Sequence, residues 1–312
     1  MAVQNSLTKN ASPAGKMQFQ QFLKAPAVLH NITTTLGDEA KKTKFVSSLI
    51  SAVSTNPALQ DCDYPTIVSA ALLGEALNLS PSPQLGHYYM VPFNDTKNNR
   101  KVATFQLGYK GYVQLAIRSG QYKKINVVAV KEGELVRFDP LTEDIEINLI
   151  EDDEIRENTP TVGYYAMFEL INGFRKAIYW SKKKMLVHAD KYSKAFSLNA
   201  TTGKYPKVSF ADFEAGKVAD KDMWLYSSFW YKDFDGMAFK TMLRQLISKW
   251  GIMSIELQSA FENDMSYKAE VNEQPTYFDN VSEADYTETQ NPIPNEEPTY
   301  QPHDENGEPT LL

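Results

Sequence analysis

The sequence predicts an α+β fold, an antiparallel sheet with flanking helices. Three observations predict it. Apolar residues recur at helical spacing through residues 16–80, short apolar runs separated by polar turns fill 87–180, and helical spacing returns over 181–196 and 234–250.

The first dozen residues are rich in Asn, Ser and Thr and read as a loose arm over about 1–15. Behind the start signal Gly37-Asp38, residues Phe45, Val46, Leu49, Ile50 and Val53 share one helical face. A second helix begins near Pro65 with Ile67, Val68, Ala71 and Leu72 on one side, and stops near Asn78, before Pro81 and Pro83. Strands at 87–93 and 102–106 flank the polar run 94–101, which predicts a hairpin with a basic tip. A helix over 108–120 closes on Gly120. Further strands are expected at 124–130, 134–138, 144–150, 161–171 and 174–180, the last two joined through Asn172-Gly173. Met185, Ala189, Tyr192 and Phe196 mark the buried face of a helix from Ser181. Phe239, Leu243, Leu246 and Trp250 form the core stripe of a last long helix, which Gly251 ends.

With 42% apolar residues the chain can bury a sizeable core. It has no apolar run of membrane-spanning length and no basic-then-apolar leader at its N-terminus. The single Cys62 cannot form an internal disulfide. A cytoplasmic protein is expected.

The formal net charge is −7, unevenly placed. Residues 271–312 hold 10 acids and no Lys or Arg, with many Pro, Thr, Asn and Gln, and read as a disordered acidic tail. Residues 1–270, the folded body, carry 32 basic against 29 acidic residues. Within that body 139–157 holds 9 acids and only Arg156, so the remainder is strongly basic.

Gly203-Lys204-Tyr205 lacks the hydroxyl and the upstream glycine of a phosphate-binding loop, so no ATP use is expected. Glu151-Asp152-Asp153-Glu154 are consecutive and cannot converge on a metal; a solvated loop is expected. The histidines are scattered, and no catalytic site or cofactor is expected, Mg²⁺ entering only as a counterion of DNA.

Lysines and arginines set among aromatic residues are more informative, because single-strand binding joins phosphate contacts to base stacking. In the segment 105–124 the candidates are Gln106, Lys110, Arg118 and Lys123, and two of its glycines could let backbone approach a ligand. A strand-to-helix turn with its aromatics in the core stands beside that reading, and is preferred for Tyr112. Ser181-Lys182-Lys183-Lys184 places three lysines against the dipole of a helix start, a cost that bound phosphate would remove. A solvated face is the other reading. Lys191 and Lys194 continue that surface. On the last helix Lys240 and Arg244, four apart, predict a fixed phosphate-binding strip bordered by Lys249 and preceded by Lys232. Lys207 and the hairpin's Lys97, Arg100 and Lys101 complete the candidates. Trp230 and Trp250 are read as core.

The stretches 70–79 and 86–93, the segment 106–120, and Trp230 through Met237-Ala238-Phe239-Lys240-Thr241 to Ser248-Lys249-Trp250-Gly251 together resemble the RecT family, over roughly 40–255. That resemblance implies an ATP-independent single-strand annealing protein of a phage or prophage, acting in the bacterial host beside an exonuclease. It implies rings or helical filaments on single-stranded DNA and annealed duplex. It also implies a β-β-β-α core shared with Red-beta-like annealing proteins, which strands 144–150, 161–171 and 174–180 and the helix 181–196 would supply here. The acidic tail lies outside the resemblance and is expected to engage the exonuclease or the host single-strand binding protein, or to shield the DNA site.

Overall fold

Gly37, left-handed at φ 66°, ends one helix, and the Asp38 carboxylate accepts the Ala40 N–H at 2.8 Å to start the next. This computed structural model describes residues 18–82, 84–95, 98–267 and 276–277. The helical N-terminal part comprises α1 (Phe19–Leu23), α2 (Pro26–Leu36), α3 (Glu39–Thr55) and α4 (Tyr64–Ala76). α3 buries Phe45, Leu49, Ala52 and Val53, while Val46 and Ile50 of the predicted stripe are half-buried against the same core. α4 is buried on nearly every side because it lies against the first hairpin as well as α3.

That hairpin is β1 (Tyr88–Asp95) and β2 (Arg100–Leu107), paired from Tyr88 opposite Leu107 to Asp95 opposite Arg100. α5 (Tyr109–Arg118) follows, and Gly120 at φ 68° turns the chain into β3 (Tyr122–Lys131). β4 (Leu135–Phe138) and β5 (Ile145–Ile147) form a small hairpin, and α6 (Asp153–Asn158) rises from the acidic run. β6 (Thr161–Leu170) and β7 (Arg175–Ser181) lead into α7 (Lys182–Tyr192). Then come α8 (Phe210–Glu214), α9 (Phe229–Lys232), α10 (Phe234–Trp250) and α11 (Ile255–Asn263). β8 (Ser266–Tyr267) joins β2, and β9 (Thr276–Tyr277) joins β8. All strand pairs are antiparallel, so the chain is α+β as predicted.

The central sheet has the order β3-β6-β7. Alternation along β6 decides what each face meets. Tyr164, Ala166, Phe168 and Leu170 enter the main core, while Tyr165 and Met167 join a second cluster with Val130, Ala177 and the β4–β5 residues Leu135, Phe138, Ile145 and Ile147. The expected β-β-β-α arrangement therefore needs one correction. Its first strand is 122–131, and 144–150 contributes only Ile145–Ile147 to the hairpin that covers the sheet's far face. Two ion-paired side chains brace that hairpin. Glu134 is fully buried and accepts from Arg156 at 2.6 Å and from the Lys131 N–H at 2.8 Å.

α10 packs between the central sheet and α5 and buries Ala238, Met242, Leu243, Leu246 and Ile247. Trp230 is buried as expected. Trp250 is not core: it is 38% exposed, with the Lys176 Nζ 4.5 Å from its ring centroid. At the Asn172-Gly173 turn the loop is three residues long, with Gly173 at φ 86° and the Leu170 N–H donating to the Phe174 carbonyl at 2.8 Å. Apart from Thr276–Tyr277, the segment read as the tail lies outside the described residues, as does the arm over 1–15.

Candidate nucleic-acid interface

Met185 and Ala189 are fully buried, which fixes the rotation of α7 and turns Lys183, Val187 and Lys191 outward at four-residue spacing. Lys194 is exposed beyond its end. The Ser181 hydroxyl caps the helix by accepting the Lys184 N–H at 3.2 Å. Among the described residues Lys183, Lys191 and Lys194 make no ion pair. Lys182, in contrast, turns back to Glu214 at 2.9 Å and lies over the rings of Phe210 and Phe234. Lys184 lies 4.4 Å from the centroid of Trp180. Beneath them His188 packs against Trp180 and Tyr192. Burial, then the charges of Lys184 and Lys191, lowers its pKa to about 4, so the imidazole is neutral near pH 7.

The loop after α7 returns to it through Lys207, whose Nζ donates to the Ala195 carbonyl at 2.7 Å and lies 5.2 Å from the Tyr231 ring; burial lowers its pKa. Lys110, Lys232 and Lys249 are exposed without an ion pair among the described residues, Lys249 lying 5.7 Å from Trp250.

The predicted strip on α10 is not a surface strip. Lys240 is 6% exposed, and its Nζ meets Asp264 Oδ1 at 2.9 Å. Arg244 meets Asp264 Oδ2 and the Tyr112 hydroxyl, each at 3.1 Å. The Asp264 carboxylate also accepts from the Leu107 N–H at 2.9 Å and from Tyr112 at 3.1 Å. Burial, and then Asp264, pushes the Tyr112 hydroxyl well above its ordinary pKa. These cations neutralise an internal acid, which is why they face inward. Tyr112 is core, as preferred.

Other candidates are also tied down. Arg100 pairs with Asp63 at 3.0 Å and Asp95 at 3.4 Å, and Lys101 with Asp61 at 3.0 Å, so these hairpin cations are held by the hairpin itself and by the segment leading into α4. Lys97 lies outside the described residues. Arg118 donates to the Leu77 and Asn78 carbonyls and closes the end of α4. Lys123 pairs with Glu169 at 2.5 Å. Gln106 lines a cleft with Tyr89, Phe229 and Asp233. Gly108 and Gly111 are explained within the chain, since a Cβ on either would run into the backbone carbonyl of Gly86 or His87. The structure thus gathers Lys182, Lys191, Lys194 and Lys207 around α7, Lys182 being ion-paired, and scatters the rest.

Sequence reading offers Lys183 only as part of the 181–184 run, and misses α11 and Asp264 entirely. Ser254, which accepts the Leu257 N–H at 3.2 Å, and the buried Leu257 and Ala260 are a cap and a helical stripe that could have revealed α11.

A sheet-backed helix that turns lysines outward beside aromatic rings can grip phosphates without reading base edges. It belongs with the DNA-binding proteins of recombination and strand annealing. More particularly, the chain is a member of the RecT family, whose model matches residues 43–277. It is 38% identical over 239 residues to the uncharacterized protein YqaK of Bacillus subtilis (strain 168), covering 77% of this chain and 69% of that protein. It is 26% identical over 246 residues to Protein RecT of Escherichia coli (strain K12), covering 78% of each. No helix among the described residues is long and apolar enough to cross a membrane.

Proposed function

We propose that this protein anneals complementary single strands of DNA without ATP, acting as a self-assembled ring or helical filament in the bacterial cytoplasm. The observation that carries this reading is the α7 face, where Lys183, Lys191 and Lys194 stand exposed and without ion pairs among the described residues, inside the region that matches the RecT family. Lys183 and Lys191, on a helix whose opposite side is locked into the core, hold their positions, and Lys194 follows just beyond its end, which suits a phosphate track.

Annealing sets the physical requirements. The backbone must be held and the base edges left clear, because pairing selects the sequence. The newly formed duplex must be bound better than its parts, since that difference drives the reaction. Oligomers align many weak sites on one strand and raise the effective concentration of the second. Mg²⁺ then acts only as a counterion of DNA. An exonuclease that exposes single strands, and the host single-strand binding protein, are the partners this reading supplies, with the acidic tail as their contact.

The test mixes two complementary labelled oligonucleotides with and without the protein, in the absence of nucleotide. Faster pairing is expected, with the DNA lengths unchanged after incubation with Mg²⁺. Pairing that accelerates only with ATP overturns the reading, slowed pairing indicates a passive single-strand binder, and shortened DNA indicates a nuclease.

A further inference from the structure

Most aromatic side chains among the described residues are buried or half-buried, and Tyr205 and Trp224 are more exposed than any other. They are 56% and 58% exposed, although each belongs to a well-anchored segment. Their rings meet edge to face, with centroids 5.3 Å apart and planes at 80°. The two planes therefore make a corner rather than a closed stack.

The loop that carries Tyr205 is closed on itself. The Thr201 N–H donates to the Lys207 carbonyl, and the Lys207 N–H to the Thr201 hydroxyl, both at 2.9 Å. The turn that carries Trp224, Asp220–Tyr226, is tied to the same loop, because the Tyr226 hydroxyl accepts the Val208 N–H at 2.7 Å. Tyr226 itself is buried and stacks on Phe213 at 5.0 Å. The corner thus rests on the aromatic cluster around Phe210 and Tyr231, which limits the entropy that a ligand must remove on binding.

Its surroundings favour a nucleic acid. The Lys204 Nζ lies 5.3 Å from the Tyr205 ring. Lys207 reaches from the base of the loop to the Ala195 carbonyl, next to Lys194, so the corner adjoins the end of the α7 lysine face. The remaining tryptophans are engaged differently. Trp230 is buried, while Trp180 and Trp250 have lysine ammonium groups over their rings. Among the described residues Tyr205 is the one aromatic ring that meets Trp224, and no lysine lies over it.

We propose that Tyr205 and Trp224 form a stacking platform for an unpaired nucleobase of the strand whose phosphates run along α7. This rests on the DNA reading above and adds to it a contact to bases. Stacking uses the π-face and is tolerant of sequence, so the Watson–Crick edge stays open to a complementary strand. A base inside a duplex is already stacked on both sides and cannot occupy the corner. The platform therefore holds the single strand before pairing and is vacated as pairing proceeds, so the duplex's greater affinity must come from contacts elsewhere.

The test measures binding of the full-length protein to oligo-dT, to an abasic oligomer with the same number of phosphates, and to a blunt duplex. The Tyr205→Ala, Trp224→Ala double variant is expected to lose about 5-fold or more in affinity for oligo-dT. Its affinity for the abasic oligomer and the duplex is expected to stay at the wild-type value. Trp224→Phe should keep oligo-dT binding but lose most of the change in tryptophan emission that accompanies it. Unchanged oligo-dT binding by a double variant with a wild-type melting profile overturns the platform and leaves the DNA reading standing. Equal losses on all three ligands also overturn it, because they point to a phosphate or folding effect. Wild-type protein that binds none of the three at low salt overturns the DNA reading and the platform together.

Discussion

Asp264 accepts from the Lys240 ammonium, the Arg244 guanidinium, the Tyr112 hydroxyl and the Leu107 N–H, and its side chain is 1% exposed. Replacing it by Asn removes the counter-charge of a buried lysine, which typically costs about 3–5 kcal/mol. Urea unfolding of Asp264→Asn should show a loss on that scale, and a loss under about 1 kcal/mol would contradict the buried-pair account. Lys240→Ala should likewise appear in stability and not in the salt dependence of DNA binding, the reverse of what the sequence predicts. The reason is physical. Spacing along α10 gives each residue's angle about its own axis, but Asp264 arrives from a helix 24 positions beyond Lys240 and leaves no periodic trace. His188 offers a second residue-level test. Its pKa is lowered to about 4 in the fold against an ordinary 6.5, so the unfolded chain takes up a proton first as pH falls. Its contribution to stability is complete above pH 6.5 and is lost between there and about 4, at most about 3 kcal/mol. Comparing the pH dependence of unfolding with that of His188→Gln isolates this contribution from the carboxylates. Parallel curves for the two proteins would show that His188 does not supply it.

α7 is the element on which phosphate binding is staked. Replacing Lys183, Lys191 and Lys194 with Ala should weaken single-strand binding and flatten the log–log salt slope by roughly 0.7 per lost contact, about 2 in all. The fold should hold, because these side chains are exposed and surface changes usually stay within about 0.5 kcal/mol. An unchanged slope in the folded triple variant would move the phosphate track off this helix. The element itself was legible: Met185 and Ala189 at helical spacing, a Ser cap and a lysine run are all local signals. So were β1, β2, β6, β7, and α10 with its ends. What escaped was pairing between elements. Nothing in 122–131 or 144–150 says which will lie beside β6, since both are runs that can pair; the choice falls to β3, which pairs with β6 at nine positions. At Gly111 the space a ligand could use is likewise filled from elsewhere in the chain, by the His87 carbonyl. Gly111→Ala should therefore lower the melting temperature, whereas a glycine kept for ligand access would leave it unchanged.

At the scale of the whole molecule, charge is the property that the fold divides least evenly. The basic face of α7 belongs to a body whose described part ends at β9, where Thr276–Tyr277 pairs with Ser266–Tyr267. A cut after Asp279 therefore spares that pairing, whereas one at 270 removes it. Residues 280–312 carry eight acidic residues and no Lys or Arg, so the cut takes the formal net charge from −7 to +1. DNA repels the full chain more than the shortened one at long range, and that difference acts across solvent, where salt screens it over about 10 Å at 0.1 M. The shortened protein should bind single strands more tightly at low salt and should still anneal purified strands. Its advantage should shrink as salt rises, because the phosphate contacts themselves are retained. Titrations of both proteins over one salt series measure this directly. Equal affinity at low salt would mean that the tail's charge does not reach the DNA site, leaving partner contact as its remaining role. A shortened protein that folds but cannot anneal would place part of the annealing machinery beyond Asp279.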